Sequence, residues 1–312
     1  MGVLGGFTYL NHRYARLRYE TVLAVDKDPR AVATYNANFM HKMVASGVEE
    51  IVPSDINGSV DVILGGFPCQ SFSTVNPTKD PLDERGQLYR YMAKFLREKQ
   101  PKAFVAENVK GMLVLRNGAI FRRIVDEFSE AGYRVSHSLM NAADYGVPQR
   151  RQRVFIVGVR KDIERAFAFP EPTHAESPAQ DRKKWVGIGQ VVDSLVPEDP
   201  KYYFSQRAVV GMKNAKNNMK RGLWQELDRP CLTVTAHLAK VSINSRDPIL
   251  LVDPDTELYR RFTPREAARI QSFPDSFVFV GSESDAYRQI GQAIPPVLMW
   301  HLAKSLYEQV LS

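Results

Sequence analysis

Short apolar runs alternate with amphipathic stretches through the first half of the chain. Thr21-Val22-Leu23-Ala24-Val25, Val60-Asp61-Val62-Ile63-Leu64 and Lys102-Ala103-Phe104-Val105-Ala106 read as strands covered on both faces, because they are largely apolar without a two-residue alternation. Two further strands are expected at 133–138 and 153–159. Between these runs the 3.6-residue period places helices at 29–39, 88–98 and 119–130. This order predicts a doubly wound α/β sheet. The pattern changes near Phe169, where Pro170, Pro172, Pro178, Pro197 and Pro200 punctuate a polar stretch. A smaller, irregular domain is therefore expected at 170–258, between a first domain at 1–169 and a C-terminal segment at 259–312. In that segment Thr263 caps a helix with Pro264 in its first turn. A last helix at 296–310 is expected to pack back on the first domain.

Composition narrows the class. Of 312 residues, 44% are hydrophobic and 25% charged, which suits a globular protein with a substantial core. No apolar run approaches the roughly 20 residues of a membrane helix. The start, Met1-Gly2-Val3-Leu4-Gly5-Gly6-Phe7, lacks the basic region and long apolar core of a signal peptide. Two cysteines, Cys69 and Cys231, allow one disulfide at most, and a reducing cytoplasm fits. The net charge of +7 favours a polyanionic partner without proving one.

Four stretches carry candidate chemistry. Gly66-Phe67-Pro68-Cys69-Gln70-Ser71-Phe72-Ser73 follows the strand at 60–64, so Cys69 sits at a strand's carboxyl end, where open α/β sheets bind ligands. Glu107-Asn108-Val109 ends the strand at 102–106. Gln149-Arg150-Arg151-Gln152-Arg153 opens the strand at 153–159. Gln289-Ile290-Gly291-Gln292-Ala293-Ile294-Pro295-Pro296 precedes the last helix. If the strands pair as usual, Cys69 and Glu107 face one crevice. A thiolate beside an acid and two guanidiniums can add to an electron-poor ring while the acid protonates a ring nitrogen and arginine holds a carbonyl oxygen. Taken singly, each stretch also has a plain reading. Cys69 could be a buried structural thiol, Glu107 a surface carboxylate, the arginines a solvated charge run, Asp26 the cap of helix 29–39, and 291–296 a turn.

In their order these motifs, together with Arg260-Arg261-Phe262-Thr263-Pro264-Arg265-Glu266-Ala267-Ala268-Arg269-Ile270-Gln271-Ser272-Phe273-Pro274-Asp275, resemble the DNA cytosine-5 methyltransferases, from about residue 23 to 306 except the middle. The resemblance implies a Rossmann-like, S-adenosylmethionine-dependent sheet with a target-recognition domain at 170–258. It implies that Cys69 attacks C6 of a flipped cytosine, Glu107 protonates or hydrogen-bonds N3, Asn108 supports the loop, Arg153 contacts the base and Arg151 a phosphate or the active-site loop. The segment 71–85 would close over the DNA, with Gln70, Ser71 and Ser73 donating to phosphate or the orphan base. For the cofactor it implies Asp26 on the ribose, Lys27, Asp55 and Ile56 at the adenine, and Gly5, Gly6, Phe7, Pro68, Gln292, Ala293 and Ile294 around the rest. Gln292 stands where the family usually has Asn. Lys213, Lys216, Lys220 and Arg221 suit phosphate contact, and Thr233 belongs to a short Thr-aliphatic pair.

The start departs from the family pattern. Val3 occupies the first glycine position of the cofactor loop, no residues remain for the first strand, and the segment 11–19 is longer and more basic than the usual helix. A truncated or mis-started reading frame would explain this; so would a cofactor-impaired relative. The resulting expectation is a cytoplasmic, nucleoid-associated, monomeric enzyme acting on double-stranded DNA, not on a membrane, with a cognate restriction endonuclease as genetic neighbour. The alternatives are a DNA-binding remnant without cofactor and a tRNA cytosine-5 methyltransferase. The size of the middle region favours DNA.

Overall fold

The computed structural model describes residues 1–67, 88–179, 181–193, 198–214, 224–240 and 247–312. Strands β1 (Phe7–Tyr9) and β2 (His12–Tyr14) form a hairpin, followed by β3 (Val25–Asp26), helix α1 (Pro29–Asn38), β4 (Val44–Ala45) and β5 (Val62–Gly66). Then come α2 (Leu88–Lys99), β6 (Ala103–Val109), α3 (Ala119–Glu130), β7 (Tyr133–Asn141), β8 (Gln149–Arg150) and β9 (Gln152–Arg160). The middle region contributes β10 (His174–Ala175), β11 (Lys183–Lys184), α4 (Gln206–Asn214), β12 (Cys231–Leu232) and β13 (Leu250–Asp253). The chain ends with β14 (Leu258–Arg260), α5 (Pro264–Ile270), α6 (Glu283–Gln292) and α7 (Pro296–Leu306), which runs into a last turn, Tyr307–Leu311.

The central sheet has the order β5-β6-β9-β7. Strands β5 and β6 are parallel, from Val62 opposite Ala103 to Gly66 opposite Glu107. Strand β9 runs antiparallel to both β6 and β7, so the sheet is mixed. Alternate residues of β6 serve the two faces, as the pleat requires. Phe104 and Ala106 join Leu96, Ile124 and Phe128 of the helices α2 and α3. Ala103 and Val105 join Ile270, Ile290, Leu298 and Leu302 of α5, α6 and α7. Both faces are thus covered by helices, as the unbroken apolar runs foretell.

The helices at 29–39, 88–98 and 119–130 are present within a residue of their expected bounds. Asp28 caps α1, its side chain accepting from the Arg30 N–H. Thr263 and Glu266 form a capping box on α5. The last helix meets the N-terminal segment: Trp300 Nε1 donates to the Ala15 carbonyl at 2.9 Å and the Tyr19 hydroxyl to that of Ala303 at 2.9 Å.

The N-terminal quarter departs from the expectation. The strand at 21–25 shrinks to Val25–Asp26, which among the described residues pairs only with Val44–Ala45 in a separate parallel ribbon. Among the described residues, β5 has a neighbour on one side only. In place of a helix, the segment after Phe7 folds as a hairpin. Leu10 and Asn11, at φ 45° and 59°, make its turn, and Phe7 stacks on Tyr14 at 5.0 Å. Burial of Phe7, Tyr9 and Tyr14 outweighs any helical tendency of the basic residues between them.

A buried ion pair ties the C-terminal segment together. Arg260 and Glu266 meet at two distances of 2.7 Å, with side-chain exposures of 4% and 0%. Glu266 also accepts from the backbone N–H groups of Thr263 and Asp193. Burial pushes this carboxyl up, but the Arg260 guanidinium and those N–H groups hold it below its usual 4.5. Its contribution to stability is therefore present above the unfolded value and lost as pH falls through the folded one. Glu266→Gln leaves the Arg260 charge buried and uncompensated. A loss of about 3–5 kcal/mol in denaturant unfolding is expected, shrinking toward acid pH; an unchanged midpoint would show the pair to be dispensable.

Candidate active site

Glu107 stands near the carboxyl end of β6, opposite Gly66 on one neighbour and Phe155 on the other. Arg153 lies two residues from Phe155 on β9, on the same face as Glu107. Its Nε is 3.0 Å from Glu107 Oε1, with side-chain exposures of 14% and 17%, and its Nη1 donates to the Gln152 carbonyl at 2.8 Å. Burial pushes the Glu107 carboxyl above its ordinary value despite the opposing charges of Arg153 and Arg151. A carboxylic acid held in this way is a better proton donor near neutral pH than one in water.

Asn108 is buried and holds the end of β5. Its Nδ2 donates to the Phe67 carbonyl at 3.0 Å, while its Oδ1 accepts from the Val109 N–H at 2.8 Å. Phe67 immediately precedes Pro68 and Cys69. Pro68, Cys69, Gln70, Ser71, Ser73 and the expected closing segment 71–85 lie outside the described residues.

Arg151 is not placed as expected. Its guanidinium is enclosed, the residue being 2% exposed, and donates to the carbonyls of Val234 (3.1 Å) and Gly291 (2.9 Å). Burial, with the neighbouring Arg153 charge, lowers its pKa to about 9. A group sealed among carbonyls cannot also reach a phosphate, so Arg151 fastens the middle region to the C-terminal segment. Gly291 completes this joint: a Cβ there would lie 2.2 Å from the Thr235 carbonyl carbon. Two glutamines that sequence reasoning passed over share the junction. Gln149 Oε1 accepts from the Val234 N–H at 2.9 Å and its Nε2 donates to Gln271. Gln271 in turn donates to the carbonyls of Ile290 and Ala293. Their signal was present: both belong to quoted motifs, and an uncharged amide beside buried arginine suits backbone bridging.

The cofactor candidates divide into two groups. Asp26, Lys27 and Asp55 are exposed, and Asp26 Oδ1 accepts from the Asp28 N–H at 2.8 Å. Asp28 bridges to Arg288 at 2.7 Å, tying this segment to α6, whose end carries the exposed Gln292. Ala293 and Ile294 follow, half-buried. Lys99 Nζ holds the Ile56 carbonyl at 2.7 Å. Accessible carboxylates at strand and turn ends fit hydroxyl and amine groups of a nucleoside.

The glycine loop does not fit the cradle expected of it. Gly5 has φ 62° and no room for a Cβ, which would fall 2.0 Å from the Ala15 carbonyl oxygen. However, the N–H groups of Leu4 and Gly5 donate to the Met1 carbonyl and that of Gly6 to the Tyr14 carbonyl, at 2.8–3.0 Å. Phe7 is buried against Tyr14. Gly5, Gly6 and Phe7 border a cleft of about 890 Å³ with Phe39, Arg269 and Phe273; Asp26, Asp55 and Gln292 do not line it.

On the DNA side, Lys213 is ion-paired with Glu257 rather than left for phosphate, a partner 44 residues distant in sequence. Lys216, Lys220 and Arg221 lie outside the described residues. Thr233 is half-buried and its Oγ1 donates to the Arg150 carbonyl at 3.0 Å. Cys231, the residue that begins β12, is buried.

Residues 3–308 match the C-5 cytosine-specific DNA methylase family. The chain belongs to that family. By sequence it is a DNA cytosine-5 methyltransferase. It is 35% identical to Type II methyltransferase M.NgoFVII of Neisseria gonorrhoeae over 92% of this chain and 80% of that protein. It is 33% identical to M.FnuDI of Fusobacterium nucleatum over 99% and 94%. Among solved structures, the fold resembles a Spodoptera frugiperda DNMT2 mutant (TM-score 0.73, 20% identity, 93% of each chain). It also resembles a prophage-encoded DNA modification methyltransferase from E. coli (TM-score 0.70, 22% identity, 95% and 94%). At those identities the two structures speak to fold alone.

The raised Glu107 carboxyl has a stability consequence. A carboxyl whose folded value exceeds its unfolded one favours the fold at low pH, and that advantage is lost as pH rises through the folded value. At neutral pH its ionised form is therefore a burden. Glu107→Gln is expected to unfold at or above the wild-type midpoint at neutral pH, with the difference vanishing below the ordinary carboxyl range. A variant markedly less stable at pH 7 would mean that the Arg153 pair outweighs the burial.

Proposed function

We propose that this methyltransferase acts on a cytosine flipped out of duplex DNA, through a covalent bond from Cys69 to C6. The observation that carries this reading is the sheet end itself. Glu107 is half-buried beside Arg153 at 3.0 Å, and Asn108 holds the carbonyl of Phe67, two residues before Cys69. The flipped base would meet the Cys69 thiolate at C6, while Glu107 donates a proton to N3 and Arg153 steadies the base. Flipping is needed because C5 and C6 cannot be attacked within the stack. S-adenosylmethionine, when bound, supplies the methyl group; Asp26, Lys27, Asp55, Ile56, Gln292, Ala293 and Ile294 would hold it. A base then removes the C5 proton, Cys69 departs, and N3 returns its proton to Glu107.

The middle region, 170–258, would read bases from the major groove, with Lys216, Lys220 and Arg221 on phosphates. The Type II names of the relatives support a place in a restriction–modification system, with a cognate endonuclease. A monomer in the cytoplasm, associated with the nucleoid through DNA, is the corresponding setting.

DNA carrying 5-fluorocytosine in the target is expected to form a denaturation-resistant adduct with the wild type and none with Cys69→Ser. Glu107→Gln should slow single-turnover methylation by about 10²–10⁴-fold while duplex affinity changes little. Full methylation by the serine variant would end the covalent assignment.

A second reading, a cofactor-impaired relative, has one observation in its favour: the inward-turned N–H groups of Leu4, Gly5 and Gly6. Loss of two or three such bonds to a charged ligand, at about 1.5–3 kcal/mol each, weakens binding by orders of magnitude. Calorimetry with S-adenosylmethionine decides it. Micromolar or tighter binding would remove this reading.

A further inference from the structure

Ligands of open α/β sheets bind at the carboxyl ends of the parallel strands. The connection leaving β6 there takes an unusual course. Residues 110–118 form two tight turns, Lys110–Leu113 and Leu115–Gly118, before α3 begins. Met112 is fully buried and anchors the first turn, whereas Val114 is 75% exposed. Arg116, Asn117 and Gly118 then take three successive left-handed conformations, at φ 48°, 56° and 77°. Two of these carry side chains, and each such residue costs of order 1 kcal/mol or more. The detour pushes Val114, Arg116 and Asn117 into solvent.

The charges on this loop are uncompensated. Lys110 Nζ rests on the neutral Gln152 side-chain oxygen at 2.9 Å. Gln152 adjoins Arg153, and Val109 pairs with Arg153 across the sheet. Arg116 is exposed. Among the described residues, neither Lys110 nor Arg116 has a carboxylate within ion-pair reach, whereas Lys213, Lys201, Arg269 and Arg288 all do. Lys110 lies three residues beyond Glu107, about 10 Å along an extended chain. Two free cations on a strained, protruding turn at the rim of the Glu107 site constitute a built attraction for a polyanion.

We infer that residues 110–118 are a DNA-contact loop, in which Lys110 and Arg116 bind phosphates beside the flipped nucleotide and Val114 lies against the duplex. This contact is separate from the middle region, and it rests on the reading of this chain as a duplex-DNA methyltransferase. Its role is positional: it holds the backbone from the catalytic side of the cleft.

The test measures binding of the full chain to a random-sequence duplex by fluorescence anisotropy across a salt series. Each phosphate neutralised contributes about 0.9 to the slope of log affinity against log salt. The double variant Lys110→Met, Arg116→Gly is expected to lower that slope by about 1.8. Glycine suits the left-handed position, so the turn is kept while the charge goes. Lys94→Met on α2, which also removes a positive charge but lies elsewhere, is expected to leave the slope in place. An unchanged slope in the double variant, beside a steep wild-type slope, overturns the loop contact and leaves the methyltransferase reading standing. An equal fall in Lys94→Met overturns it in favour of a net-charge effect. A flat wild-type response removes both the loop contact and the duplex substrate.

Discussion

The antiparallel pairing of β6 with β9 is the constraint on which the site rests. It sets Val109 opposite Arg153 and Glu107 opposite Phe155. Glu107 and Arg153 thereby become diagonal neighbours on one face, close enough for the ion pair. A slip of one residue would turn Arg153 to the other face and leave Glu107 half-buried without a cation. The register is held by Val105, Val154, Ile156 and Val157, all within 3% exposure, so the same apolar contacts that make the core also set the chemistry. Asn108, between Glu107 and Val109, uses the opposite face of the strand to grip Phe67. One strand therefore orients the Glu107 carboxyl and fixes the backbone at Phe67, two residues before Cys69.

A second organising element is the sealed junction around Arg151, Gln149 and Gln271. These side chains contact the backbone of Val234, Ile290, Gly291 and Ala293. Buried polar groups of this kind are stabilising only when satisfied; both Arg151 Nη atoms are, while its Nε is buried without a partner. Here the partners come from segments distant in sequence, so the junction forms only when the middle region and the C-terminal helices are both docked. The strand pair β8–β12, with Cys231 beside Gln149, continues the same attachment through the backbone.

Much of this was legible in the sequence, for physical reasons. Helices 29–39 and 119–130 carry their own period, as in the amphipathic face of Phe121, Ile124 and Phe128; the cap of the first is Asp28 rather than Asp26, which the sequence offered for it. Glu107 and Arg153 were legible as motif residues at strand ends. Strand direction was not, because an apolar run looks alike in either sense; hence β9 emerged antiparallel. The inward turn of Arg151 was hidden, since a guanidinium is expected outside unless its carbonyl partners, Val234 and Gly291, are known. The Glu257 partner of Lys213 was equally invisible at that separation. The hairpin at 7–14 was not foreseen, since the segment 11–19 reads only as longer and more basic than the usual helix, and Tyr14 packs on Trp300 of α7, nearly three hundred residues away. Cys69 was the most informative residue in the sequence, yet it lies outside the described residues.

The one-sided pairing of β5 also bears on how the molecule behaves in company. Among the described residues, the outer edge of Val62–Gly66 presents backbone donors and acceptors to no strand, and Leu64 beside it is 45% exposed. Backbone groups arrayed in this way template further strands, including those of other molecules. Any association through this edge would therefore grow with protein concentration while leaving the β5–β6 pairing in place.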